Sequence, residues 1–228
     1  MDLLIGIIII IVVVVLINKN KKKEEQEENT PFRMTYTVER VTAKKKKSVF
    51  SDDVTINHAK KTFFLDTETT GLSKAKGAEL VEISLIDDNG AVLINTLVKP
   101  KNPIPKQATA IHHITDDMVQ NAPPAKEIIE RVYEAVQGGN LVIYNATFDL
   151  QWFPDITKHV ASVICAMRAF SNHYGDRSYN DTPKFMKLEE AIKIVGYTAP
   201  EGMNAHRALA DCYACKAVYE HLKNKRLI

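Results

Sequence analysis

Thr62-Phe63-Phe64-Leu65-Asp66-Thr67-Glu68-Thr69-Thr70-Gly71 is the stretch on which the fold turns. An apolar, β-prone start leads into two acids at alternate positions and then a glycine turn. Side chains alternate along a strand, so Asp66 and Glu68 share one face about 7 Å apart. Two carboxylates so placed repel each other, and a divalent cation removes that cost. Hard oxygen ligands suit Mg²⁺ or Mn²⁺. Taken alone the pair is a weak signal, because strand ends often carry acids.

Working downstream, residues 79–87 (ELVEISLID) and 91–98 (AVLINTLV) alternate around Asp88-Asn89-Gly90 and predict a hairpin with an Asn-Gly turn. Pro100, Pro103 and Pro105 keep the next segment irregular. Pro124 to Val136 carries Ile128, Ile129, Val132 and Val136 at helical spacing, closed by Gly138-Gly139. LVIY (141–144) reads as a buried strand leading to a short helix, and ASVIC (161–165) as another strand. Helices are expected over about 187–195 and 205–223. Strands first, then strands alternating with helices, predict an α/β or α+β layer fold with a mixed sheet.

Upstream, Leu3 to Ile17 is an unbroken apolar run, LLIGIIIIIVVVVLI. It spans about 22 Å as a helix, short of a hydrocarbon core of about 30 Å but extendable through Met1 and Asn18. A cleaved leader and a buried strand are the alternatives. Asp2 at the start and lysines afterwards oppose a leader, and nothing nearby pairs with a strand that long. Lys19, Lys21, Lys22 and Lys23 place the downstream chain on the cytoplasmic side. The expected organisation is a single-pass membrane anchor over 1–18, a charged tether over 19–61 and one domain over 62–228.

The net charge of +2 hides a division. Residues 1–61 carry 12 basic and 8 acidic side chains, and residues 62–228 carry 18 and 20. A domain slightly acidic overall is no broad grip for duplex nucleic acid, so nucleic-acid contact must be local. Three cysteines provide no disulfide framework. Cys212 and Cys215 fall within a helical run without a second pair, and read as small core filler rather than a zinc or redox site. Trp152 and Phe153 read as core.

Two further segments strengthen the acidic pair. Asn145-Ala146-Thr147-Phe148-Asp149 comes directly after a strand and puts another acid at its end. His206-Arg207-Ala208-Leu209-Ala210-Asp211 sets a histidine five residues before an acid at the start of the last helix. An inward-facing acid there needs a partner.

FLDTETTG, NATFD and HRALAD, in this order, resemble the three motifs of the DnaQ-like superfamily, the DEDD 3′–5′ exonucleases. VEIS (81–84), IHHIT (111–115) and KLEEAIKIVG (187–196) resemble further family segments. The resemblance runs from about Thr62 to Leu222. It implies a ribonuclease H-like fold, a five-stranded mixed sheet flanked by helices. Asp66, Glu68, Asp149 and Asp211 are then the metal carboxylates, holding two Mg²⁺ or Mn²⁺ ions about 3.5–4 Å apart. His206 takes the general-base position of the h subgroup. Thr69, Thr70 and Gly71 match the backbone that meets the terminal 3′-hydroxyl, and Leu72 the residue wedged against the last base. Asn145 and Phe148 match the terminal-nucleotide pocket, and His112 a phosphate-contacting position.

Three positions depart from the pattern. His113 stands for a glycine, Tyr144 for a frequent histidine, and Cys165-Ala166-Met167 for a common Asp-Thr or Cys-Thr. The implied activity is release of nucleoside 5′-monophosphates from single-stranded DNA or RNA 3′ ends. The alternatives are a catalytically idle domain serving as a tethered interaction module, and a polymerase proofreading subunit. The filled catalytic positions oppose the first. The 17 residues after Asp211 offer little surface for the second.

Overall fold

The computed structural model describes residues 60–228. The expected anchor over 1–18 and almost all of the tether over 19–61 lie outside the described residues. Among the described residues no helix is long and apolar enough to cross a membrane.

Five strands form one mixed sheet in the order β3-β2-β1-β4-β5. They are β1 (Thr62–Thr69), β2 (Leu80–Asp87), β3 (Val92–Leu97), β4 (Asn140–Ile143) and β5 (Ser162–Cys165). β1 pairs antiparallel with β2 and parallel with β4, so the strand carrying the two acids is central. The helices are α1 (Lys106–His112), α2 (Asp116–Val119), α3 (Ala125–Ala135), α4 (Ala146–Asp149), α5 (Ala166–Tyr174), α6 (Leu188–Val195) and α7 (Ala208–Asn224).

The sheet's period of two sorts residues into two cores. Phe63, Leu65, Ile83, Leu85, Leu141 and Ile143 face α3 with Ile128 and Val132, and this core also holds Trp152 and Phe153. Phe64, Ile86, Val142 and Tyr144 face the other way, onto Cys212, Cys215, Val218 and Leu222 of α7. Continuing the alternation, Asp66 and Glu68 fall on the α7 side. The three cysteines are free and buried, as filler should be.

Two expectations shift in detail. The β2–β3 connection has a longer loop than two residues, with only Gly90 left-handed (φ 83°). Gly90 N–H donates to Asp87 O at 3.0 Å, and the Asp87 carboxylate also takes the Ala91 N–H at 2.8 Å. The Asp87 side chain thus closes a turn that the Asn-Gly pair alone does not make. The last helix begins at Ala208 rather than near Ala205, because the Ala208 N–H is taken by the Glu82 carboxylate at 2.9 Å. A side chain from β2 satisfies that N–H, and His206 is left in a turn with φ 59°.

Candidate active site

The carboxyl end of β1, the start of α4 and the start of α7 converge on one cavity of about 200 Å³. Asp66 and Glu68 enter from β1, Asp149 from the end of α4, and His206 and Asp211 from the turn and first helical turn of α7. Thr67, Tyr144, Asn145, Phe148 and Leu188 complete its walls.

One oxygen each of Asp66, Glu68 and Asp211 lies within 4.8 Å of the others, a spacing that a single cation can bridge. Asp149 is outside that trio but lines the same cavity and raises the pKa of Asp66 through its charge. It is buried, 3% exposed, and accepts a hydrogen bond from Thr67 Oγ1 at 2.7 Å. Thr67 also lines the cavity, so this bond fixes Asp149 at its wall.

The electrostatics show what such a cluster needs. Burial pushes Asp66 well above the ordinary carboxylate range, with negative charge from Asp149, Asp211 and Glu68 adding to the effect. Glu68 is pushed up to about 9, by burial first and then by Asp211 and Glu82. Asp149 rises to about 7 through burial, against the opposing Thr67 hydrogen bond. Asp211 rises to about 6 through burial, held down by neighbouring His206. Acids this close and this buried keep protons unless a cation neutralises them. A divalent cation fits both the donor set and the charge.

His206 sits at the rim, with Nε2 3.1 Å from Glu189 Oε1. Its left-handed backbone is the kind of strained conformation that gathers at functional sites.

The other expected residues divide. Asn145 and Phe148 line the cavity. Thr69, Thr70, Gly71 and Leu72 form the turn beside it. Thr69 Oγ1 donates to Gly71 O at 2.8 Å, Thr70 is tied to Glu79, and Leu72 projects with 84% exposure. His112, which the resemblance places at a phosphate-contacting position, ends α1. It is 2% exposed, with Nδ1 accepting the Ile114 N–H at 3.0 Å, and burial lowers its pKa. It fastens the end of α1 to Ile114, and the exposed neighbour is Ile111.

Glu82, on β2, falls inside the VEIS segment but receives no role from sequence reading. It is paired in register with Glu68, is 2% exposed and is held by Arg207. An acid in the middle of an apolar strand was the available signal. Glu189 and Leu188 were likewise legible only as helix positions.

The family described as "Exonuclease" (RNase_T) matches residues 63–219. The chain belongs to the DnaQ-like 3′–5′ exonucleases. This exonuclease domain is 42% identical over 161 residues to the uncharacterized exonuclease CP81 of Escherichia phage 186, covering 65% of this chain and 81% of that one. It is 32% identical over 163 residues to exodeoxyribonuclease 10 of Escherichia coli, covering 70% and 67%. Among solved structures it resembles exonuclease X in complex with 5′-overhanging duplex DNA. There the identity is 29%, the TM-score 0.57, and the coverage 72% of this chain and 92% of that one. Exonuclease I of E. coli with a dA16 oligonucleotide shares the fold at 21% identity and TM-score 0.57, over 74% and 42%. The exonuclease thus has the ribonuclease H-like sheet, and its acidic cluster suits the divalent metal ions of the family.

Proposed function

We propose that this exonuclease removes nucleoside 5′-monophosphates one at a time from the 3′ end of single-stranded DNA or RNA. It would act from the cytoplasmic side of a membrane to which residues 1–18 tether it. One observation carries the catalytic reading: three carboxylates within 4.8 Å of one another share a cavity with Asp149 and His206.

Asp66, Glu68 and Asp211, with Asp149 opposite, would hold two Mg²⁺ or Mn²⁺ ions. When bound, these ions supply Lewis-acid stabilisation of the phosphate charge and acidify the attacking water. The protein's own groups do the rest. Asn145 and Phe148 shape the space for the terminal nucleotide. The Thr69–Gly71 backbone meets its 3′-hydroxyl, and Leu72 presses against the last base. His206 accepts a proton from the attacking water as the water oxygen bonds to phosphorus and the P–O bond to the preceding nucleotide's 3′-oxygen breaks, and that oxygen takes a proton from solvent to become the new 3′-hydroxyl. Glu189 faces His206 Nε2 and fixes the ring's orientation.

The membrane reading rests on the Leu3–Ile17 run and the lysines after it. Support for single-stranded ends comes from the exonuclease I complex with a dA16 oligonucleotide, whereas the 5′-overhanging duplex bound by exonuclease X presents a recessed 3′ end.

The test incubates the full chain, in detergent, with DNA and RNA strands labelled at the 5′ end, with Mg²⁺ or Mn²⁺ supplied. A ladder shortening by single nucleotides, with 5′-monophosphates as product, is expected. A folded, metal-loaded protein that leaves both strands intact, or shortens them from the 5′ end, overturns the reading.

A further inference from the structure

Between α5 and α6 the chain makes an excursion, residues 175–187, whose base is tightly built. A Cβ at Gly175 would lie 2.6 Å from Ser171 O and 2.7 Å from Lys184 O, so only glycine lets the two ends meet on α5. Lys184 N–H donates to Asp176 O and Ser178 N–H to Thr182 O, each at 2.8 Å. Arg177 and Pro183 bridge between these contacts. Asp181 closes the tip with φ 58°, the left-handed residue of a three-residue hairpin loop. This ribbon displays Tyr179 at its apex, wholly exposed, and Phe185 just past its base, 61% exposed.

The same segment continues into the cavity wall. The Met186 carbonyl accepts from the Tyr144 hydroxyl at 2.8 Å, and the Met186 N–H donates to buried Ser171 Oγ at 2.9 Å. Tyr144 lines the cavity, as does Leu188, and Glu189 meets His206. Phe185 is three residues before Leu188, at most about 10 Å of chain away. Exposed Lys184 and Lys187 flank it.

We propose that this hairpin and Phe185 form a stacking platform for single-stranded nucleic acid, holding the nucleotides upstream of the one in the cavity. This rests on the exonuclease reading of that cavity. A ribbon fixed at its base and aromatic at its exposed edge suits unpaired bases, because every base has a π-face and a preset surface loses little entropy on binding. Lys184 and Lys187 can each meet a backbone phosphate beside these rings.

The experiment compares the full chain in detergent with Tyr179→Ala, Phe185→Ala and the double variant. All three change exposed side chains. Two readouts are used: anisotropy of a labelled oligothymidylate of about twelve nucleotides in EDTA, and KM on strands of decreasing length down to the p-nitrophenyl ester of thymidine 5′-monophosphate. The double variant should bind the oligonucleotide about tenfold or more weakly, matching the usual loss per unstacked base. Its KM defect should shrink as the substrate shortens towards the ester. Equal affinity of parent and double variant overturns the platform and leaves the hairpin facing a protein instead. A KM defect of the same size at every length also overturns it. An inactive parent sinks the exonuclease reading, while the binding comparison still decides the platform.

Discussion

Arg207 grips Glu82 from two sides: Nε donates to Oε1 at 3.2 Å and Oε2 at 3.0 Å, and Nη2 donates to Oε1. The Ala208 N–H adds a third donor. This contact fastens the start of α7 to β2, opposite Glu68, and so sets where Asp211 and His206 stand. Arg207→Met leaves a buried carboxylate without its cation, and should cost about 3 kcal/mol or more of stability. Glu82→Gln should cost less, because an amide oxygen can still accept from Ala208. Urea melts of both variants with metal supplied check the order. No loss in either variant would show that the pair carries no structural load.

The carboxylate cluster predicts a stability profile with an unusual sign. Free Asp and Glu titrate near 4, but the folded state holds protons up to about 6 on Asp211, about 7 on Asp149 and about 9 on Glu68. Between those limits the folded state binds more protons than the unfolded one, so stability falls as pH rises. In EDTA the melting temperature should therefore drop by at least about 5 °C between pH 5 and pH 9. Saturating Mg²⁺ should flatten the slope by replacing the protons. Asp66→Asn should abolish turnover, yet melt at or above the parent in EDTA at pH 8. Melting well below it would mark Asp66 as a structural acid instead.

His113 stands where the family pattern has glycine, and its backbone explains the preference. It ends α1 in the left-handed region (φ 61°), its N–H donating to Thr109 O at 2.8 Å. For a residue with a Cβ that conformation costs about 1–2 kcal/mol, and glycine's greater chain entropy offsets part of the gain. His113→Gly should stabilise the protein by about 0.5–1 kcal/mol. A thermal melt reads this as a rise of a few degrees, and a fall would mean that the imidazole makes a stabilising contact.

The apolar N-terminus makes a cellular prediction. With Leu3–Ile17 followed by Lys19 and Lys21–Lys23, the full chain should sediment with membranes and require detergent for release. Intact protein recovered from the soluble fraction without detergent would rule out the anchor.

Strands were legible wherever a period of two met turn chemistry: β1 through Asp66 and Glu68, and β2 and β3 through the residues around Gly90. α3 was legible from its apolar stripe. α1 and α5 were not, because Lys106–His112 is short and comes after prolines, and Ala166–Tyr174 continues directly from a strand without a breaker. Within the site, acids at strand ends announced themselves. The residues that hold those acids did not, since Glu82 looks like any strand acid until β2 is laid beside β1. The burial of His112 was not legible either, because nothing in the sequence marks how deep the end of α1 sits.

His206 provides the sharpest separation of roles. It lines the cavity without belonging to the carboxylate trio, and its Nε2 faces Glu189 across 3.1 Å at the rim. As the group that takes the water's proton, its replacement by alanine should lower kcat by about 10²–10⁴-fold. Mn²⁺ affinity should hardly move, because all four carboxylates remain. The pH–rate profile of His206→Ala should differ in shape from the parent's, because alanine removes a group that exchanges a proton with the attacking water. Glu189→Gln should change the profile less, since the amide keeps contact with Nε2. If His206 only terminates the turn before α7, the alanine variant would instead lose stability, keep the parent's pH profile and lose activity in proportion to its unfolded fraction. A pH–rate series on the three proteins, with folded fraction measured in the same buffers, decides between the two roles. An unchanged profile in His206→Ala would remove this residue from the chemistry.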